Sequence, residues 1–274
     1  MFGGMSEAEV PRVFGNRWAD AVGPAGGVPD RDRCECFEQY RDRPQPSVHF
    51  HPDRQDTTAP GRQHLLALIE EAAADRREVF KPLVELSAEE RRQLITLPPT
   101  IAKLKSVRHM VLYGSNLVRI PPEIGGMESL EEFSPYTSHQ LHWFPYELTR
   151  CQNLQRSTVS TRSVYGNYKL PPQFPALQPS PTPTADLNPN DLDPGQWGGT
   201  TLGNCSVCNN PLQLSELRQV WISRRVATDV LPLLVNACSP TCVDSLPHPP
   251  EHYVPTPHRG GPTITQPPTG YPRS

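Results

Sequence analysis

The stretch VRHMVLYGSNLVRIPPEIGGMESL, residues 107–130, decides how the chain is read. Its first half spaces apolar residues at Val107, Met110 and Leu112. Its second half carries Ile120-Pro-Pro-Glu-Ile124, then Met127 and Leu130. The same order recurs on both sides. Leu97-Pro-Pro-Thr-Ile101 precedes this motif by 23 residues, Phe144-Pro-Tyr-Glu-Leu148 follows after 24, and Leu170-Pro-Pro-Gln-Phe174 follows after a further 26. Each of the first three copies has an apolar residue three positions on, at Leu104, Met127 and Cys151, and another three later, at Val107, Leu130 and Leu154. A steady period of this size marks stacked units that cannot bury their apolar faces alone. Alternation at the end of each unit predicts a short strand with inward residues at every second position.

These residues resemble leucine-rich repeats, whose L-x-x-L-x-L-x-x-N-x-L-x-x-I-P pattern is best copied by residues 107–130. The resemblance covers about residues 97–177. It implies an α/β fold: a short leucine-rich-repeat solenoid with a parallel sheet on its concave face and tight turns behind. Three departures stand out. The asparagine-ladder position holds Ser115, Ser138 and Arg162. Pro135 falls where a strand residue should donate to the ladder, which predicts a weak second strand. Ser157 replaces a core leucine.

Outward strand positions form columns across the units: His109, Glu132 and Arg156; Val111, Ser134 and Thr158; Tyr113, Tyr136 and Ser160. Tyrosines beside mixed charge suit a protein partner, because Tyr joins apolar area to a hydrogen-bonding tip. His139 and His142, near Trp143 and Glu147, fall in a turn and read as solvated.

Upstream, Leu65, Leu68, Ile69, Ala72, Ala73, Val79 and Phe80 recur at helical spacing and predict one amphipathic helix over 62–80, placed to cover the first unit. Ser87-Ala88-Glu89-Glu90 reads as a capping box opening a second helix that carries Leu94, Ile95 and Leu97. Residues 61–96 are thus a helical cap. Residues 1–60 have little apolar periodicity and read as mostly disordered. Cys34, Cys36, His49 and His51 lie there, in a spacing that fits no common closed zinc site.

Downstream, residues 178–200 are a Pro-rich linker and 259–274 a Pro-rich tail. Between them, over 201–258, Cys205-Ser-Val-Cys208 is followed after 29 residues by Cys238-Ser-Pro-Thr-Cys242. Two close pairs, with no secretory signal in view, have the spacing of a closed structural zinc site. Asn209 tolerates the left-handed turn a knuckle needs. Val220–Ile222 and Val230–Val235 predict a hairpin turning over Arg224–Asp229, and Ser239-Pro240 predicts a helix start that places Cys242 in the first turn. Knuckle, hairpin and helix resemble a treble-clef zinc finger over roughly 202–250. His248, His252 and His258 read as surface residues. Trp221, Leu231, Leu233 and Leu234 exceed what so small a module buries. They suggest docking on the last unit near Leu154, Val159 and Val164.

Composition bounds the function. With 34 prolines, 18 glycines and 36% apolar residues, the chain suits small cores joined by coil rather than one large enzyme. The net charge of −3 gives no whole-chain attraction to nucleic acid or anionic membrane. No apolar run approaches a bilayer span, and a reducing, cytoplasmic setting is expected. No phosphate loop, nucleophile elbow or dinucleotide fingerprint occurs, so no enzyme is expected. The expected function is protein interaction or scaffolding through the repeat face, with structural zinc. The alternative is nucleic-acid binding by the finger, against which its balanced charge of four arginines and four acids over 201–259 speaks.

Overall fold

The structure, a computed structural model, describes residues 53–138, 140–159, 174, 176, 177, 202–261, 263–265 and 267. All of them belong to one compact unit, Arg31–Ser274, and none to the other, Met1–Asp30. Cys34, Cys36, His49, His51, His139, Ser160, Arg162, Val164 and the linker 178–200 lie outside the described residues.

Helix α1 runs Pro60–Ala74 and buries Leu65, Leu68, Ile69 and Ala72. Proline at its first position has a preset φ and no donor to lose. The helix does not reach residue 80. It ends at Asp75, and Arg76 follows at φ 56°, outside the right-handed region. Val79–Phe80 form strand β1 instead. A β-branched residue beside an aromatic suits a half-buried strand, and Phe80 gains complete burial there. Helix α2 spans Pro82–Glu85 and α3 spans Ala88–Arg92. The capping box is present: Glu90 N–H donates to Ser87 Oγ at 3.2 Å, and Ser87 N–H donates to Glu90 Oε2 at 2.8 Å. Leu94, Ile95 and Leu97 are not part of α3. They lie beyond it and are buried, where Arg62 Nη1 secures Thr96 O at 2.7 Å.

Strands β2 (His109–Val111), β3 (Glu132–Ser134) and β5 (Arg156–Ser157) join β1 in a parallel sheet of order β1-β2-β3-β5. His109 pairs with Glu132 and Glu132 with Arg156, so the sequence period sets the register. Phe80, Met110 and Phe133 point into the core. Behind the sheet, 3-10 turns at Pro99–Lys103, Pro122–Gly126 and Tyr146–Arg150 repeat at the same interval. They bury Ile101, Ile124 and Leu148.

Ser115 and Ser138, one interval apart, are linked by hydrogen bonds. Ser138 Oγ donates to Leu112 O at 3.0 Å and accepts Ser115 N–H at 3.2 Å, and the two hydroxyls lie 2.6 Å apart. Pro135 does not interrupt the β2 side, where Leu112 N–H reaches Ser134 O at 3.0 Å and Gly114 N–H reaches Tyr136 O at 2.8 Å.

A second sheet follows. Strands β6 (Arg218–Val226) and β7 (Asp229–Ala237) are an antiparallel hairpin, and β4 (Phe144–Pro145) pairs in parallel with Leu233–Leu234 of β7. The hairpin is longer than expected. Its turn shrinks to Ala227, at φ 53°, and Thr228. Docking of the hairpin on the repeated segment is therefore a backbone-bonded junction. Ser157 completes it: Thr228 Oγ1 donates to Ser157 O at 2.8 Å, and Ser157 Oγ lies 3.0 Å from Asp229 Oδ2. Ser157 thus anchors the edge strand β5 to the hairpin turn. Helix α4, Pro240–Asp244, closes the order. The architecture mixes helices with parallel and mixed sheets and has no closed barrel among the described residues. No helix among the described residues is long and apolar enough to cross a membrane.

Candidate metal centre and sheet face

Cys205 and Cys208 sit in a tight loop. Asn209, at φ 62°, turns the chain back, and Cys205 N–H donates to Asn210 O at 2.8 Å. Cys238 follows β7 directly, and Cys242 occupies the first turn of α4. There Ser239 caps the helix by accepting Cys242 N–H at 3.2 Å. The four Sγ atoms lie within 4.8 Å of one another, with Cys208–Cys238 at 3.6 Å and Cys238–Cys242 at 3.7 Å. Those gaps are far longer than a disulfide of about 2.05 Å. They match the edge of a tetrahedron with bonds of about 2.3 Å, which is about 3.8 Å.

Electrostatics agree with a cation site. Burial acts to raise the Cys205 thiol, but backbone N–H groups of Cys208, Val207 and Cys238 outweigh it and bring it down to about 7. Hydrogen bonds with the Cys208, Cys205 and Cys242 thiols push Cys238 up to about 12. Cys205 ionises readily, while Cys238 and Cys242 resist, as expected of sulfurs that need a dication to ionise together. The residues fit a closed four-thiolate metal site.

A clasp ties this centre to the third 3-10 turn. Arg150 Nη2 donates to Ser206 O at 2.9 Å and Cys205 O at 3.2 Å, while Nη1 reaches Asn209 Oδ1 at 3.2 Å. Ser206 N–H donates to Asn236 O at 2.8 Å, and Asn236 N–H donates to Ser206 Oγ at 2.9 Å. Nothing in the linear spacing marks Arg150, since it lies 55 residues from the nearest cysteine it holds.

His142 is not solvated, as the turn position suggested, but 1% exposed, and its neighbours Trp143 and Glu147 are buried too, at 4% each. Strand β4 draws this segment into the second sheet. Burial raises the Glu147 carboxyl above its ordinary range. The Ser206 hydroxyl works against this, and Glu123 adds to it. The unfolded chain therefore ionises first, so this contribution is full below the ordinary carboxyl range and is lost as pH rises. Glu147→Gln is expected to melt higher than the parent at about pH 8, the gap closing toward about pH 4. A variant melting lower than the parent at the higher pH would contradict this.

His258 is also buried, at 7% exposed, unlike His248 and His252, which are exposed. Its backbone brackets Trp221 through N–H···O bonds of 2.7 and 3.1 Å, and its ring meets Phe174 edge-on at 4.5 Å. Burial pushes it down to about 4. Arg259 likewise pairs with Leu177, so the chain past 258 begins as packed structure.

On the parallel sheet, Glu132 stands between Arg156 at 3.1 Å and His109 at 3.8 Å. The outward positions Val111 and Ser134 share the next row. Thr158 follows Arg156 by two and is exposed. Tyr113 and Tyr136 are 46% and 43% exposed, with ring centroids 5.5 Å apart and tilted by 37°. The sequence reading missed Val79, which β1 places beside His109. A β-branched Val beside an aromatic Phe, after a helix-ending Asp-Arg-Arg, was the available signal. No protein-family model matches the chain, and a search of curated proteins finds no relative.

Proposed function

We propose that the chain is a non-enzymatic protein-interaction module, in which degenerate leucine-rich repeats present a binding face and a four-cysteine zinc site secures the hairpin that closes them. The carrying observation is the placement of apolar exposure. Among the described residues, the exposed large hydrophobics are Val79, Val84, Tyr113 and Tyr136. Three lie on the outward face of one sheet, and Val84 lies in the short helix after β1. Large apolar side chains gathered on one exposed face favour a contact surface. The 23- and 24-residue period, the parallel register and the Ser115–Ser138 link support the repeat reading. Zinc bound by Cys205, Cys208, Cys238 and Cys242 has no open coordination position, which suits structure rather than catalysis.

A photoreactive benzoylphenylalanine in place of Tyr113 or Tyr136 is expected to yield discrete partner adducts on irradiation in cells. The same group in place of Arg225, exposed on the hairpin, is expected to yield none. Equal adducts from all three positions would refute the face.

A further inference from the structure

We infer that the sheet face takes an extended acidic protein segment, one with two carboxylates and an apolar side chain. This rests on the binding-face reading above and adds the chemistry of the partner. The acids on and beside the face are already engaged. Glu132 is shared by Arg156 and His109, and Glu131 and Glu78 at the margin both face Arg108. A basic partner would have to break these pairs. The cations are less committed. Lys81 is exposed two residues beyond Val79, in the outward alternation, and has no ion pair among the described residues. Arg156 is 68% exposed, and its contact with Glu132 runs through Nη2, leaving further N–H donors of a guanidinium free for a carboxylate.

Register gives the spacing between these cations. Lys81 stands beside β1 and Arg156 on β5, three strand intervals apart in the order β1-β2-β3-β5. At about 4.8 Å per interval, with a two-residue offset along the strands, they are about 15 Å apart. An extended chain covers that in about four to five residues. On the two strands that separate them, but two rows past Lys81 and four past Arg156 along the chain direction, the tyrosine pair offers a contiguous aromatic platform for an apolar side chain. Single-stranded nucleic acid fits less well, since a two-cation face, with one cation already paired, neutralises few phosphates.

The test is selection of random peptides displayed on phage against the full chain, with a fluorescent oligothymidine strand as a separate probe. Enriched peptides are expected to carry Asp or Glu about four residues apart together with an apolar residue. Binding is expected to fall about tenfold or more for Lys81→Glu with Arg156→Glu, and that variant is expected to select basic peptides instead. Its unchanged melting temperature separates this from misfolding. Peptides that need Tyr113 and Tyr136 but are neutral or basic would overturn the acidic partner and leave the face standing. Peptides indifferent to both tyrosines, or no enrichment at all, would overturn the face and the inference with it. Oligothymidine binding lost on Tyr113→Ala with Tyr136→Ala would assign the face to nucleic acid.

Discussion

Protein purified without chelator is expected to carry one zinc ion per chain, and Cys208→Ala combined with Cys242→Ala is expected to abolish it. Each cysteine pair supplies half of the tetrahedron, so losing one from each leaves two thiolates and no closed site. The structural consequence should be large. Metal affinity in zinc-finger peptides amounts to about 10–16 kcal/mol of folding free energy, because the site does not exist in the unfolded chain. Without metal the knuckle at Cys205–Asn209 is held by hydrogen bonds within its own short loop, by the Arg150 clasp and by the Ser206–Asn236 pair. Metal analysis and near-ultraviolet circular dichroism of the double variant check this. Full metal content in that variant would rule out these ligands.

Trp221→Ala is expected to be the most damaging single change outside the cysteines. The indole is fully buried, with ring centroids 6.1 Å from Trp143 and 5.9 Å from Phe174. Trp143 precedes β4, and Trp221 lies on β6, so the contact bridges the repeated segment and the hairpin. Truncating a buried Trp costs about 3–5 kcal/mol, with a cavity too large for neighbours to refill. Denaturant titration should show the midpoint falling with the slope unchanged. A loss below about 1 kcal/mol would mean the junction is not packed as described.

Much of this was legible in the chain because it depends on local chemistry. The capping box at Ser87–Glu90, the left-handed Asn209 and the Ser239 cap follow from short-range hydrogen bonding and φ preference, which a few residues determine. The cysteine pairs were legible because ligand spacing is set by loop geometry. The period of the Pro-Pro motifs foretold the strand register, because each interval returns the chain to the same row.

The remainder depended on tertiary competition. Val79 and Phe80 fit a helical stripe as well as a strand, and only the open edge of β2 decides between them. Ser157 looked like a lost leucine because its partners, Thr228 and Asp229, are more than 70 residues away. His142 and Glu147 sat in a polar-looking turn. Their burial comes from β4 pairing with β7, an association across about ninety residues that no local pattern announces. His258 is hidden for the same reason, by its bridge to Trp221.

The central claim is that metal site, hairpin and parallel sheet form one cooperative unit presenting one face. Hydrogen exchange over β2 and β3, measured on the full chain with zinc and after chelation, tests it most directly. Chelation should release the knuckle, then the hairpin, and expose the edge strand β5 that Thr228 covers. Exchange at His109–Val111 and Glu132–Ser134 is then expected to accelerate together. Identical protection of these strands in both states, with the hairpin alone deprotected, would contradict the claim.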